Sequence, residues 1–478
     1  MKPLLSIAKK EIMIALREKL VISLAAIILL LLGIATYAGF ISYDQQQHTI
    51  SETQAQKRQE WLNQGDKHPH IAAHYGTFVF KPKTILSIFD FGLDTYTGTS
   101  VYLEAHNQHE FMFRPAQDHS SMIRFGELSA ALVLQVLLPL LIIFLAFASF
   151  TQERESGTLK LLLSQGVSLG ALIWGKILGY CLIIIAILAP FLLGVFILTI
   201  SGIESSIIPD VVTRVLLIVL FYGLYLFLFV ALAVWVSLKS STGRNSLLSL
   251  LACWIFLTVL VPKTVANLSE TFYSLPSMRV FRAEIEEDIT NGLDGKSTRS
   301  VRLTNLQKEY LTKYKADSLK HLPVNFDGIS QQAGEDYGNK VYDHHLEKLR
   351  NVFHRQNRLS SILSLLNPYL AIQHLSMGLS ASDIYTSIDF EEQVEVYRRN
   401  LVRRMNKDMA ENSQYGEFYG YKAKDDLWLE IEDFSYSSPT AIRTLRHYQW
   451  EIASLLLWVF LTLVLLQYTN RKIKPFNG

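Results

Sequence analysis

The sequence predicts a mainly α, polytopic membrane protein with six transmembrane helices, cytoplasmic N and C termini, and two extracytoplasmic domains, the first mixed and the second mostly helical. Three observations carry this. Half of the 478 residues are hydrophobic and only 18% are charged, with a mean hydropathy of +0.20, a balance that mixes membrane-buried with water-exposed parts. Six apolar runs occupy residues 20–41, 128–150, 171–200, 211–238, 246–261 and 452–468, most of them near the roughly 20 residues that a hydrocarbon core requires. Lys and Arg collect in the short flanks on one side only, and cytoplasmic loops are the ones that hold positive charge.

The order along the chain follows from these runs. Residues 1–41 comprise a basic amphipathic segment and the first span. Leu4, Leu5, Ala8, Ile12, Ala15 and Leu16 fit one helical face, while Lys9, Lys10, Glu11, Arg17 and Glu18 lie mostly off it, the pattern of an interfacial helix along the inner leaflet. The first apolar run is about 22 residues, longer than the 7–15 of a signal-peptide core, and no small-residue cleavage pattern follows Phe40, so it is read as a retained span. Starting inside, six crossings place Arg154 with Lys160, Lys239 with Arg244, and Arg471, Lys472 and Lys474 in the cytoplasm. The long segments 42–127 and 263–449 then fall outside, where length overrides charge.

The first extracytoplasmic domain, 42–127, opens with residues 45–64, polar and free of Pro and Gly, which predict a helix continuing upward from the first span. Gly65, Pro69, Gly76 and Pro82 then break the chain into loops and short elements. Residues 128–262 hold spans two to five, the fifth being short and ending at Pro262. In the second extracytoplasmic domain, 263–449, the stretches 281–290, 300–321, 336–361 and 390–412 are poor in breakers and predict helices. Residues 363–379 form an apolar patch, with Pro368 suited to a helix start and Gly378 near its end. Interrupted by Asn367, Gln373 and His374, it reads as a core or membrane-skimming helix rather than a seventh span. Residues 450–478 are the sixth span and a cytoplasmic tail.

Composition excludes several functions. The two cysteines, Cys181 and Cys253, both fall inside spans, so the outer segments are not held by disulfides. A net charge of +2 selects no acidic partner, and no nucleic-acid partner is expected. No Gly-x-x-x-x-Gly-Lys-Ser/Thr loop occurs, and the glycine-bearing stretches near Gly175 and Gly243 follow no strand. No cofactor is therefore expected in this chain.

The 13 histidines all lie in the outer segments. His68, His70 and His74 cluster, as do His106 and His109, and imidazoles at such spacing can bind copper, zinc or iron. The plainer account is that apolar spans exclude His and the inner loops are small. Without a Cys or a firmly helical i, i+4 pair, His68, His70 and His74 remain candidates only, and no metal is assigned. His109-Glu110 does not continue into His-Glu-x-x-His.

The charged stretch Gln152-Glu-Arg-Glu-Ser-Gly-Thr-Leu159, wedged between spans two and three, is the most distinctive motif. Ser156-Gly157 permits a tight bend that presents Glu153, Arg154 and Glu155 on one side, suited to ion pairing with a soluble partner. An ordinary solvated loop is the alternative. Taken with Lys9-Lys-Glu-Ile12 ahead of the first span, Leu161-Leu-Leu-Ser-Gln-Gly166 and Gly175-Lys-Ile-Leu178, it resembles the permease subunit of an ATP-binding-cassette transporter of the ABC-2 class. Within that class the chain is similar to the subgroup with large extracytoplasmic insertions after the first and fifth spans.

The resemblance covers residues 1–262 and 450–478 best. It implies a coupling helix near 151–165, with Glu153, Arg154, Glu155, Ser156, Gly157 and Thr158 gripped by a separate ATPase subunit that binds ATP and Mg. It further implies a second permease chain, identical or paralogous, contacts with membrane lipid and with periplasmic proteins, and a place in the bacterial inner membrane. The cargo varies across the class and does not carry over. Two alternatives stay open: mechanotransmission to a periplasmic partner without transport, and a metal-handling assembly.

Overall fold

The computed structural model describes residues 2–74, 76–108, 128–201, 207–417 and 420–472. Among the described residues six helices are long and apolar enough to cross a membrane: Lys19–Leu62, Ala130–Glu155, Leu169–Ile197, Ile208–Lys239, Gly243–Phe272 and Ala441–Arg471. Each holds all or most of one of the six apolar runs. The second and fourth form the centre, their apolar windows being 61% and 50% buried, whereas the other four are each 22% buried and line the outside of the bundle. Tyr225, Leu138, Leu141, Ile142 and Val234 sit at the middle of this core.

Pro139, Pro190 and Pro262 sit inside the spans, and at the first and last of these neighbours supply the missing donor. Pro139 has no N–H for the carbonyl of Gln135. The second span widens to a π turn over Val133–Leu137, and the Tyr225 hydroxyl donates to Gln135 O at 2.7 Å. Gln135 Nε2 donates to the Tyr222 hydroxyl at 2.7 Å, so Gln135 and Pro139 belong to the packed seam between spans two and four. Pro190, by contrast, lies on the exposed side of span three.

The fifth span does not end at Pro262. A π turn over Phe256–Leu260 lets Val261 N–H reach Phe256 O, and the helix runs on to Phe272. In that widened register Leu257 O would next require a donor from Pro262, which has none. Asn367 Nδ2 donates to it instead, at 2.8 Å. The expected boundary between residues 262 and 263 is thus interior to one helix, because a proline that sequence reads as a stop is absorbed by a π turn and a distant amide.

The first span and the polar stretch after it form one helix of 44 residues, Lys19–Leu62, as the absence of breakers predicts. Beyond it come a short helix, Pro69–His74, and an antiparallel pair of strands, Thr77–Phe80 and Ser100–Leu103, in register Thr77 to Leu103. The second polar segment is helical: Met278–Asn291, Arg299–Tyr314, Phe326–Leu363, Pro368–Leu379 and Ile384–Asn412. Two differ from expectation. Arg299–Tyr314 stops early because Lys315 turns to φ +51°. Phe326–Leu363 starts ten residues before 336, where the Asn325 side chain caps Asp327 N–H.

The two polar segments share cores. Ala72, Ala73 and Ala105 pack against Leu401, Met405 and Trp428, and Val79, Val101 and Leu103 against Phe390 and Val394. They build one body rather than two independent ones, since neither segment alone encloses these side chains. Pro368–Leu379 is a core helix: Leu370, Ala371, Ile372 and Leu375 are fully buried among spans four and six. The Asn367 side chain caps its start, its Oδ1 accepting from Tyr369 N–H at 2.9 Å.

Candidate functional site

The stretch between spans two and three is two short helices, Thr151–Glu155 and Thr158–Ser164, joined at Gly157 with φ +75°. A side chain at that angle is strained, which explains glycine at the bend. Thr151 N–H and Phe150 N–H both donate to the Ser237 hydroxyl, at 3.4 and 3.0 Å, tying the first short helix to span four.

The charged residues here differ from expectation: they do not stand together on an outward side. Glu153 is buried. Its Oε1 accepts from Lys10 Nζ at 2.7 Å and from Lys176 Nζ at 3.0 Å. Lys176, on span three, also reaches Glu11 Oε1 at 2.7 Å, and the Tyr180 hydroxyl donates to Glu11 Oε2 at 2.8 Å. Glu11, expected off the apolar face of the N-terminal helix Lys2–Ala15, instead points into the protein. Ala8 O lies within 3.0 Å of a Cβ placed on Gly179, so the two backbones approach closely, and Lys176 can stand between the two carboxylates. A cleft of about 400 Å³ opens beside this group.

Arg154 is likewise committed inside the chain. Its guanidinium donates to Leu238 O at 2.6 Å and to Ser240 O, satisfying carbonyls that the end of the fourth span leaves open. Glu155 Oε1 accepts from Gly243 N–H at 2.9 Å at the start of the fifth. Ser156 and Thr158 hydroxyls bond each other at 2.8 Å across the bend. Glu153, Arg154 and Glu155 therefore fasten the bend to the N-terminal helix and spans three to five. What stands outward is Thr158–Ser164, in which no residue is buried and Leu161 is 57% exposed. The sequence signal for this face was Leu161, in an apolar triplet whose other members, Leu162 and Leu163, pack partly against the bundle.

The histidines regroup. His70 and His74 lie on the helix Pro69–His74, one turn apart, with Nε2 atoms 3.2 Å apart, and His106 joins them; ring nitrogens of the three lie within 4.8 Å of one another. His68 is buried nearby but outside the trio, and His109, like Lys474, lies outside the described residues. Burial, then the neighbouring His106 and His74, holds the His70 imidazole down to about 4. Burial and His106 also lower His74.

The described residues thus form six span-length helices with a short charged hinge between the second and third. Residues 101–260 match the model of the ABC-2 family transporter proteins, and residues 280–437 match a domain of unknown function (DUF3526). Over residues 101–260 the chain is therefore similar to the ABC-2 type transporter permeases. No curated protein matches the chain.

Proposed function

We propose that this chain is the membrane subunit of an ATP-driven transporter of the bacterial inner membrane, moved by a separate ATPase that docks on Thr158–Ser164. The observation that carries it is the split of labour within the hinge. Glu153, Arg154 and Glu155 bind it to four other elements, and the helix beyond Gly157 packs only partly against the bundle and turns Leu161 outward. A partner gripping that helix would pull directly on spans two to five and on the N-terminal helix. ATP-driven closure of two such partners would tilt the spans and reshape a path between two permease chains. The exposed apolar faces of spans one, three, five and six fit lipid and a second permease chain.

The test is affinity purification from the native membrane with an ATPase assay. Recovery of a nucleotide-binding subunit with ATP turnover is the expected result. Leu161→Glu should lower that recovery at least tenfold while leaving thermal unfolding of the permease unchanged, since Leu161 packs little against its own chain. Undiminished recovery would remove Thr158–Ser164 as the docking face. The orientation is tested separately: membrane-impermeant reporters placed at Gly65 and Ser300 should react from outside the cell, and one at Lys160 should not. A reactive Lys160 position would invert the topology.

A further inference from the structure

We propose that His70, His74 and His106 form a binding site for a divalent first-row transition cation such as zinc or copper, seated where the two polar segments meet. The site lies apart from the membrane hinge and does not depend on the transport reading.

The backbone brings the three residues together in two ways. His70 and His74 are four apart on one helix, so their rings project from the same face. His106 arrives through the bend that follows the second strand, Ser100–Leu103. Ala105 N–H donates to Ala73 O at 3.2 Å, which sets the next residue beside His74. Helical spacing and this bend together give a near-equilateral trio, with ring centroids 4.7, 5.1 and 4.8 Å apart.

Those separations suit an ion. With metal to nitrogen bonds of about 2.0–2.1 Å, tetrahedral ligands stand about 3.3 Å from one another. His70 and His74 already hold their Nε2 atoms 3.2 Å apart, and a ring nitrogen of His106 lies within 4.8 Å of both.

The surroundings are those of a metal-ligating histidine. His106 sits at φ +70°, uncommon for a residue with a side chain. It is held there by Glu335, whose carboxylate accepts from His106 Nδ1 and from His106 N–H at 3.2 Å. With Nδ1 engaged by a carboxylate, Nε2 is the ring atom left for a metal, and the carboxylate raises its basicity. Glu335 is itself buried, with the Arg398 guanidinium 3.9 Å away. Arg398 is fixed by Glu395 at 2.7 Å and by Asn339 at 2.6 Å. Three imidazoles and no thiolate favour zinc, copper or nickel over calcium or magnesium. Three protein ligands leave a fourth position open to water or to a group on a passing ligand.

Full-length protein purified in detergent and stripped with chelator is titrated with zinc chloride against a chromophoric zinc indicator. About one tight equivalent is expected, and the cobalt-loaded protein should show the visible absorption of a four-coordinate centre. His74→Ala, at an exposed ring, should weaken zinc at least tenfold without changing thermal unfolding of the stripped protein. Glu335→Gln should weaken it by about 10–100-fold, and His48→Ala, on the exposed surface, not at all. Absence of a tight equivalent in the unaltered protein overturns the site. So does binding that His74→Ala and a His70→Ala/His74→Ala pair leave unchanged, which would mark the zinc as adventitious.

Discussion

Replacing Lys176 with Met is expected to destabilise the permease by about 3–5 kcal/mol, the usual cost of removing one partner from a buried ion group. Lys176 is 1% exposed and stands between Glu11 and Glu153. Without its ammonium two buried carboxylates face each other across the junction of the N-terminal helix, the hinge and span three. Lys10 remains on Glu153, but it is half in water and cannot serve Glu11. Unfolding of the detergent-solubilised protein reads the effect. Adding Glu11→Gln and Glu153→Gln to Lys176→Met should recover most of the loss, because a neutral set carries no desolvation penalty. A loss under about 1 kcal/mol for Lys176→Met alone would show that the group is hydrated and weak.

Arg214→Ala should have an effect of similar size, about 3–5 kcal/mol, at the other end of the bundle. An arginine near the start of a span would ordinarily reach toward the membrane surface. Arg214 is buried instead. Nε donates to Asp210 at 2.7 Å, and the remaining nitrogens donate to Leu379 O at 3.0 Å, Gly378 O at 3.3 Å and Pro439 O. One guanidinium thus joins span four, the end of the core helix Pro368–Leu379 and the approach to span six. Asp210 completes the clamp by accepting from Ala441 N–H at 2.7 Å. Arg214→Lys should recover only a minor part, since a single ammonium cannot reach three directions as the planar fork does. Unfolding of Arg214→Lys indistinguishable from the unaltered protein would show that charge alone matters there.

Features set by local pattern were legible in the sequence. Each span follows from an apolar run, the N-terminal helix from its 3.6-residue periodicity, and the upper part of the rod Lys19–Leu62 from the stretch after residue 45, which holds no Pro or Gly up to Leu62. Features that depend on partners far along the chain were not. Nothing within Lys2–Ala15 shows that Glu11 turns inward, because Lys176 lies 165 residues away. Pro262 reads as a stop only until Asn367, 110 residues from Leu257, is seen to supply the missing donor. The histidines divide the same way. His70 and His74 are visible as neighbours, whereas His106 joins them through the bend after Leu103, which hydropathy does not encode. The hinge motif was legible as a motif, yet its acidic and basic residues were assigned to an outside partner. Their partners are carbonyls, N–H groups and lysines of the same chain.

The rod Lys19–Leu62 has a mechanical corollary. At 1.5 Å per residue it is about 66 Å long, twice the thickness of a bilayer core. Its far end is gripped: Trp61 Nε1 donates to Trp428 O at 3.1 Å, and Arg58 reaches Asp433 at 3.5 Å. An unbroken helix bends little, so a rotation of about 10° about its inner end sweeps the tip through about 11 Å. Any turn imposed on its inner end would therefore be magnified where the two polar segments are joined.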